Sequence, residues 1–204
     1  MHIKEKKFKS KDKLIGATLN EFCENNFENA SLNRIIKNAG ISKGTFYYHF
    51  KNKESLYLFL LKEGFDAKWT FINSYTTEHT VDFSKMDIFD KFLYQAKAGM
   101  LFASEYPKYY KLGNMFLKEK GNPIYKKAIE HLRNDSSEIL THMIDAAYEN
   151  NELHTSYSKE FINKLLIHLF SYYDDIFTDS TNDLDKSLAN LENYVRFIKY
   201  GLKN

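Results

Sequence analysis

Cysteine occurs once in the 204 residues, at Cys23, so no internal disulfide can staple the chain and a reducing compartment suits it. Two prolines, Pro107 and Pro123, and 8 glycines punctuate it too sparsely for many short strands and turns, which argues against a β-sandwich or barrel. The longest apolar run, residues 56–61, falls far short of the ~18 residues a membrane span requires. The basic start is followed by no apolar segment and does not read as a secretory signal. A cytoplasmic protein with no membrane partner is the expectation. Arginine is scarce too, with three (Arg34, Arg133, Arg196) against 26 lysines.

Aromatic side chains are abundant, 17 Phe, 15 Tyr and 1 Trp, enough to build a core and incompatible with disorder over most of the chain. The formal net charge of +2 hides an asymmetry. Residues 1–60 hold 11 Lys and Arg against 6 Asp and Glu, whereas the remaining 144 hold 18 against 21. A basic end on an acidic body suits contact with a polyanion, although a solvated surface looks similar. Lys4, Lys6, Lys7, Lys9, Lys11 and Lys13 make the leader either a basic arm for phosphates or a solvated tail.

Helical periodicity dominates. In residues 11–25, Ile15, Leu19 and Phe22 share one stripe. Ser31 caps a short helix to Asn38, and Ser42 caps another over 43–49. A longer helix spans about 53–75, and residues 76–82 read as a loop. Further helices cover about 84–105, 107–120, 123–149, 158–177 and 182–202, two of them opened by proline at a position that tolerates it. About nine helices and no convincing strand predict an all-α chain.

Residues 35–50 read Ile-Ile-Lys-Asn-Ala-Gly-Ile-Ser-Lys-Gly-Thr-Phe-Tyr-Tyr-His-Phe. A helix, an Ala-Gly-apolar turn and a Ser-capped short helix form a helix-turn-helix layout. Gly40 supplies the sharp turn, Ala39 permits close approach of the two helices, and Ile41 plugs the angle. Phe46 and Phe50 share the inward face of the second helix. The opposite face carries Gly44 and Tyr48, flanked by Thr45 and Tyr47, with Lys43 in the first turn. Gly44 leaves room where a phosphate backbone comes nearest, and Thr and Tyr reach phosphates and base edges over short distances. His49 and Lys53 are placed for flanking phosphates, and Arg34 for a groove edge from the preceding helix. With no arginine on the second helix, bidentate arginine reading of guanine is unavailable there; Lys43 is left for guanine O6 and N7, and an operator leaning on A·T pairs and backbone shape is expected.

Phe22, Phe27, Ser31, Ile35, the run from Ala39 to Phe50, and Lys53-Glu54-Ser55-Leu56 together resemble the N-terminal domain of TetR-family transcriptional regulators, over about residues 11–60. Asn26 stands where that family usually has Gly and Ile36 where it often has Ala, neither on the DNA face. The resemblance implies a three-helix DNA-binding head, residues 1–52, on a six-helix body, residues 53–204, that binds a small ligand and dimerises. It also implies DNA contacts at Ser31, Lys43, Gly44, Thr45, Tyr47, Tyr48, His49 and Lys53; Ser42, as the cap, and Arg34 complete the candidate set.

In the last helix Leu184, Leu188, Leu191, Val195, Ile198 and Leu202 alternate spacings of four and three, a seam for helix packing. The preceding helix is apolar nearly all round, including Phe161, Leu165, Leu169 and Tyr172, and must be covered on several sides. Spacing alone leaves a monomer core and a partner chain equally open. Reading two half-sites one helical turn apart favours a two-fold homodimer, and the TetR-family resemblance implies that these last two helices form its four-helix interface. For a ligand, Trp69, Phe92, Met100, Tyr110, Met115, Phe116, Met143 and His168 are candidates to line an apolar cavity, and equally to be plain core. The stripe His131, Asp135, Glu138, His142 and Asp145 has metal-ligand spacing but reads as the wet side of an amphipathic helix, so no metal and no cofactor are expected. No nucleophile elbow or phosphate loop is present, which argues against an enzyme. A repressor released from a two-fold DNA operator by a small, largely apolar or aromatic effector is the expected function. The alternative is a DNA-binding structural or partner-binding protein with no small-molecule inducer.

Overall fold

The computed structural model describes residues 11–79, 82–132, 136–154, 156–171, 173–177 and 184–201. Its elements run α1 (Lys11–Glu24), α2 (Leu32–Ala39), α3 (Lys43–His49), α4 (Lys53–Glu78), a 3-10 turn (Phe83–Lys85), α5 (Ile88–Glu105), α6 (Pro107–Leu117), α7 (Pro123–Leu132), α8 (Ser136–Glu149), α9 (Lys159–Ser171), α10 (Tyr173–Ile176) and α11 (Leu184–Tyr200). The chain is all-α as its periodicity predicts, with no strand among the described residues. Two differences stand out. Helix α4 continues through residues 76–78, expected as loop. The helix expected over 123–149 appears as α7 and α8, with 133–135 outside the described residues. Residues 1–10 of the basic leader, Tyr172, Leu202, Arg133 and Asp135 also lie outside them.

The chain divides into two compact units. The first comprises residues 1–69 and 105–132. Within it Leu14, Phe22, Ile35, Phe46, Leu56, Tyr57, Leu60 and Leu112 are almost completely buried. Helix α6 packs on α1, where the Cys23 thiol donates to the Lys108 carbonyl at 3.2 Å and Lys108 Nζ to Asn20 Oδ1 at 2.8 Å. Gly64, in mid-α4, has its explanation here: a Cβ would come within 2.9 Å of the Tyr109 ring on α6.

Local rules place α2 and α3. Ser31 Oγ accepts the Arg34 N–H and Ser42 Oγ the Thr45 N–H, each satisfying an amide the helix leaves unpaired. Gly40 closes α2 at φ +65, the left-handed conformation that a side chain disfavours, and its N–H returns to the Lys37 carbonyl at 3.1 Å. Asn52 and Ser55 cap α4 reciprocally, at 2.8 and 3.2 Å.

The second unit comprises residues 70–104 and 133–204. Ile88, Ile144, Leu166, Phe170, Leu191, Tyr194 and Val195 lie in its core, where the Phe92 and Phe170 rings stack 3.7 Å apart. Tyr194 Oη donates to the Leu169 carbonyl at 2.9 Å, joining α11 to α9. This core corrects the reading of the last helix as a seam for a partner. Leu191 is 0% and Val195 4% exposed in the single chain, so this stretch of the stripe faces its own unit and cannot meet a second copy. Leu188, Ile198 and Leu169 are half-buried. Phe161 and Leu165 on α9 and Leu184, Phe197 and Tyr200 on α11 are exposed instead.

The Phe46 side chain is fully buried beneath α3, so Phe46→Ala should destabilise the protein by ~3–5 kcal/mol in urea unfolding, the usual cost of emptying a buried phenylalanine site. A loss below about 1 kcal/mol would mean that α3 does not depend on this anchor.

Candidate nucleic-acid interface

Helix α3 has only seven residues, and its rotation is set by what lies beneath it. Phe46 and the following Phe50 point into the first unit, their rings 5.8 Å apart, and the Phe50 ring meets Phe59 of α4 edge-on at 5.3 Å. At 100° per residue, fixing Phe46 inward turns its two successors outward. Tyr47 is 57% and Tyr48 68% exposed, with Lys43 and Gly44 exposed beside them. Tyr47 rests its ring on the edge of Phe46, and Tyr48 meets the edge of His49 at 4.9 Å, so both phenols are braced at the ring and open at the oxygen. Thr45 is half-buried, its hydroxyl 2.9 Å from that of Ser42.

Gly44 is the informative residue. A Cβ there meets only Ser42 Oγ, at an ordinary 3.7 Å, so nothing within the chain demands glycine. A helical glycine costs about 1 kcal/mol relative to alanine. The bare position leaves open space at the surface, between Lys43 and the two phenols.

Two cations expected at DNA, Arg34 and Lys53, make bonds within the head in the free chain. Arg34 forms a fork with Glu21, Nε to Oε2 at 2.7 Å and Nη2 to Oε1 at 2.8 Å. Burial raises the Glu21 pKa, but the Arg34 fork and the Ser31 N–H outweigh it and hold this carboxyl below the usual range. Lys53 turns inward, with Nζ 2.6, 3.1 and 2.9 Å from the carbonyls of Phe27, Glu28 and Ala30, and burial pulls its pKa down. Ser31 and Ser42 spend their hydroxyls as helix caps. Lys43, Gly44, Tyr47 and Tyr48 remain as the exposed face, with Thr45 and His49 half-buried at its margin.

Sequence reasoning missed Glu21 and Glu119. Leu14, Thr18 and Glu21 are spaced four and three apart on the inward side of α1, a signal that a carboxylate there must be paired. Glu119 follows α6 and reaches Phe27, 92 positions away, a contact no local pattern announces.

The ligand candidates fall in both units. Trp69, Tyr110 and Met115 are half-buried and Phe116 is buried in the first, where its ring stacks on Tyr125 at 4.8 Å. Phe92, Met100 and Met143 pack against the second core, and His168 is exposed on α9. An open groove along α4 is lined by Thr70, Asn73, Ser74, Thr77 and Glu78, none of these eight. His131 lies in α7 and His142 in α8, while Asp145 is held by Lys159 at 3.1 Å and Asn163 at 2.9 Å. Among the described residues no helix is long and apolar enough to cross a membrane.

Residues 14–59 match the profile of bacterial regulatory proteins of the tetR family. The chain is 39% identical over 59 residues to the HTH-type transcriptional regulator QacR of Staphylococcus aureus, a match covering 29% of this chain and 31% of QacR. Across nearly its whole length the fold is similar to that of Salmonella enterica GusR, with a TM-score of 0.70, 18% identity, and 98% of each chain covered. It is similar also to FadR from Bacillus subtilis, solved in complex with stearoyl-CoA, with a TM-score of 0.66, 17% identity, and 94% of this chain and 99% of that one covered.

Gly44→Ala separates folding from contact. It should stabilise α3 by ~0.5–1 kcal/mol in thermal unfolding while weakening binding to duplex DNA. Equal or tighter binding by the stabilised variant would show that nothing approaches the helix at this point.

Proposed function

We propose that the chain is a tetR-family regulator, a homodimeric DNA-binding repressor released by a small, largely apolar or aromatic effector, on the match of residues 14–59 to that family. The outward pairing of Tyr47 and Tyr48 around the bare Gly44 carries the reading, because two large exposed rings beside an otherwise costly glycine serve no purpose inside the fold. Residues 1–52 act as the DNA-binding head and 53–204 as the ligand-binding and dimerisation body. Lys43 neutralises phosphate and reaches guanine edges, and the tyrosines contact phosphates, base edges and thymine methyls. Arg34 is engaged elsewhere, so readout leans on A·T pairs and backbone shape.

A second copy is supported by the exposed apolar side chains of α9, Phe161 and Leu165, with Leu184 and Phe197 on α11. Two copies present two recognition helices to half-sites one turn of duplex apart. An apolar effector is supported by the stearoyl-CoA bound to the similarly folded FadR and by the aromatic and methionine content of the chain. The effector acts through α4, which begins directly after the reading head. Moving it changes the separation of the two α3 helices, so effector and DNA disfavour each other reciprocally, typically by ~1–3 kcal/mol.

Duplexes selected from a random pool by the wild-type protein provide the test. Tyr48→Ala should weaken binding roughly 10- to 100-fold in fluorescence anisotropy, the cost of one lost base or phosphate anchor, while sedimentation still reports a dimer. Failure of the wild type to bind any duplex at low ionic strength would overturn the reading. Leu165→Asp should leave the fold intact by circular dichroism and yield a monomer, because a charge on an exposed apolar face costs only the association. A dimer that persists would move the interface elsewhere.

A further inference from the structure

Residues 27–31, between α1 and α2, carry backbone groups that no helix pairs, and three charged side chains from three directions supply partners. Glu21 of α1 accepts the Ser31 N–H at 2.7 Å. Glu119, in the turn after α6 and 1% exposed, accepts the Phe27 N–H, and its other oxygen accepts from Asn122. Lys53, at the start of α4, directs its ammonium at the carbonyls of Phe27, Glu28 and Ala30, and lies 4.7 Å from the centroid of the Phe27 ring. The N–H and C=O of one residue, Phe27, are thus gripped by opposite charges from the body side of the head. The held segment ends at Ser31, the cap of α2, and α2 leads through Gly40 directly into α3.

We propose that Lys53 and Glu119 are positioning residues for DNA binding: they lock residues 27–31, fix the pose of α2 and α3 against α4 and α6, and do not touch the nucleic acid. The chemistry suits an ammonium. Its three protons diverge from one nitrogen to three separate carbonyls, whereas the planar fork of a guanidinium suits a carboxylate or phosphate. The lock gives the turn after α6 a hold on the backbone that leads into α2, so a displacement of that turn is carried into α3. Glu119 and Lys53 then act as one unit, each holding one side of the same peptide segment.

The inference rests on α3 being the DNA-contacting surface, and the experiment keeps the two apart. Full-length wild type, Lys53→Met, Lys53→Arg, Glu119→Gln and the Lys53→Met/Glu119→Gln double variant are titrated with the selected duplex at several salt concentrations. Each single substitution should lower affinity about tenfold, the worth of a charge-assisted hydrogen bond. The slope of log affinity against log salt should stay that of the wild type, Lys53→Arg should not restore binding, and the double variant should lose little more than either single one. A Lys53→Met slope shallower by ~0.9, with binding restored by arginine, would make Lys53 a direct phosphate contact and overturn the proposal. Unchanged affinities or fully additive losses would overturn it as well. Glu119→Gln keeps the side-chain volume, so amide exchange at Phe27 can be read even where Lys53→Met unfolds. Faster exchange there is expected, and unchanged exchange removes the lock. Absence of duplex binding by the wild type would defeat the functional reading instead, and exchange at Phe27 would still decide whether the lock exists.

Discussion

The seven residues of α3 are about half the ~12–15 that an isolated helix needs to hold together in water, so its exposed face depends on the burial of Phe46 beneath it. That one ring sets whether the helix forms, how far it is rotated and which residues leave the surface. The Ser42 cap and the left-handed Gly40 determine where α3 starts and at what angle, but neither supplies appreciable burial. Phe50 extends the anchor into the start of α4 through its contact with Phe59. The exposure of Tyr47 and Tyr48 is therefore a consequence of core packing, and the interface is as rigid as the core below it.

Much of this was legible in the sequence because its determinants are local. Ser31, Gly40, Ser42 and the four-residue spacing of Phe46 and Phe50 each act within one or two turns, and each is found where the pattern puts it. The charged side chains were not legible for the opposite reason. Lys53 finds its carbonyls 23 to 26 positions away, Arg34 its carboxylate 13 away and Glu119 its amide 92 away. A cation next to a recognition helix reads as a phosphate contact until the fold shows a nearer claimant. Burial decided the contest: three converging carbonyls with no helix partner attract an ammonium more strongly than solvent does.

The last helix shows a second limit. Spacings of four and three say that a helix packs along one stripe, and nothing in them says against what. Leu191, Tyr194 and Val195 spend that stripe on the core of their own unit, which leaves Phe197 and Tyr200 on a different face. Helix α9 divides likewise, with Ile162, Leu166 and Phe170 inward and Phe161 and Leu165 outward. A helix apolar on two sides can satisfy a core and still present a hydrophobic face, so the excess of apolar positions on α9, rather than the regular seam of α11, was the better pointer to an exposed surface.

The division of cations within the head follows from the same economy of geometry. Arg34 is paired with the Glu21 carboxylate and Lys53 with backbone carbonyls, and both bonds remove freedom from the segment that leads into α2 and α3. Attraction to a polyanion is long-ranged and tolerant of position, and exposed lysines such as Lys37, Lys43 and Lys51 serve it wherever they stand. The contacts proposed for the two phenols and the bare glycine are short-ranged and would fail with a displacement of an ångström or so. On the proposed function, a head that reads through short side chains gains more from a fixed backbone than from one further charge at its surface. Lys53 turns inward to the carbonyls of residues 27–30, whereas Arg34 stays exposed and reaches back along the surface to Glu21.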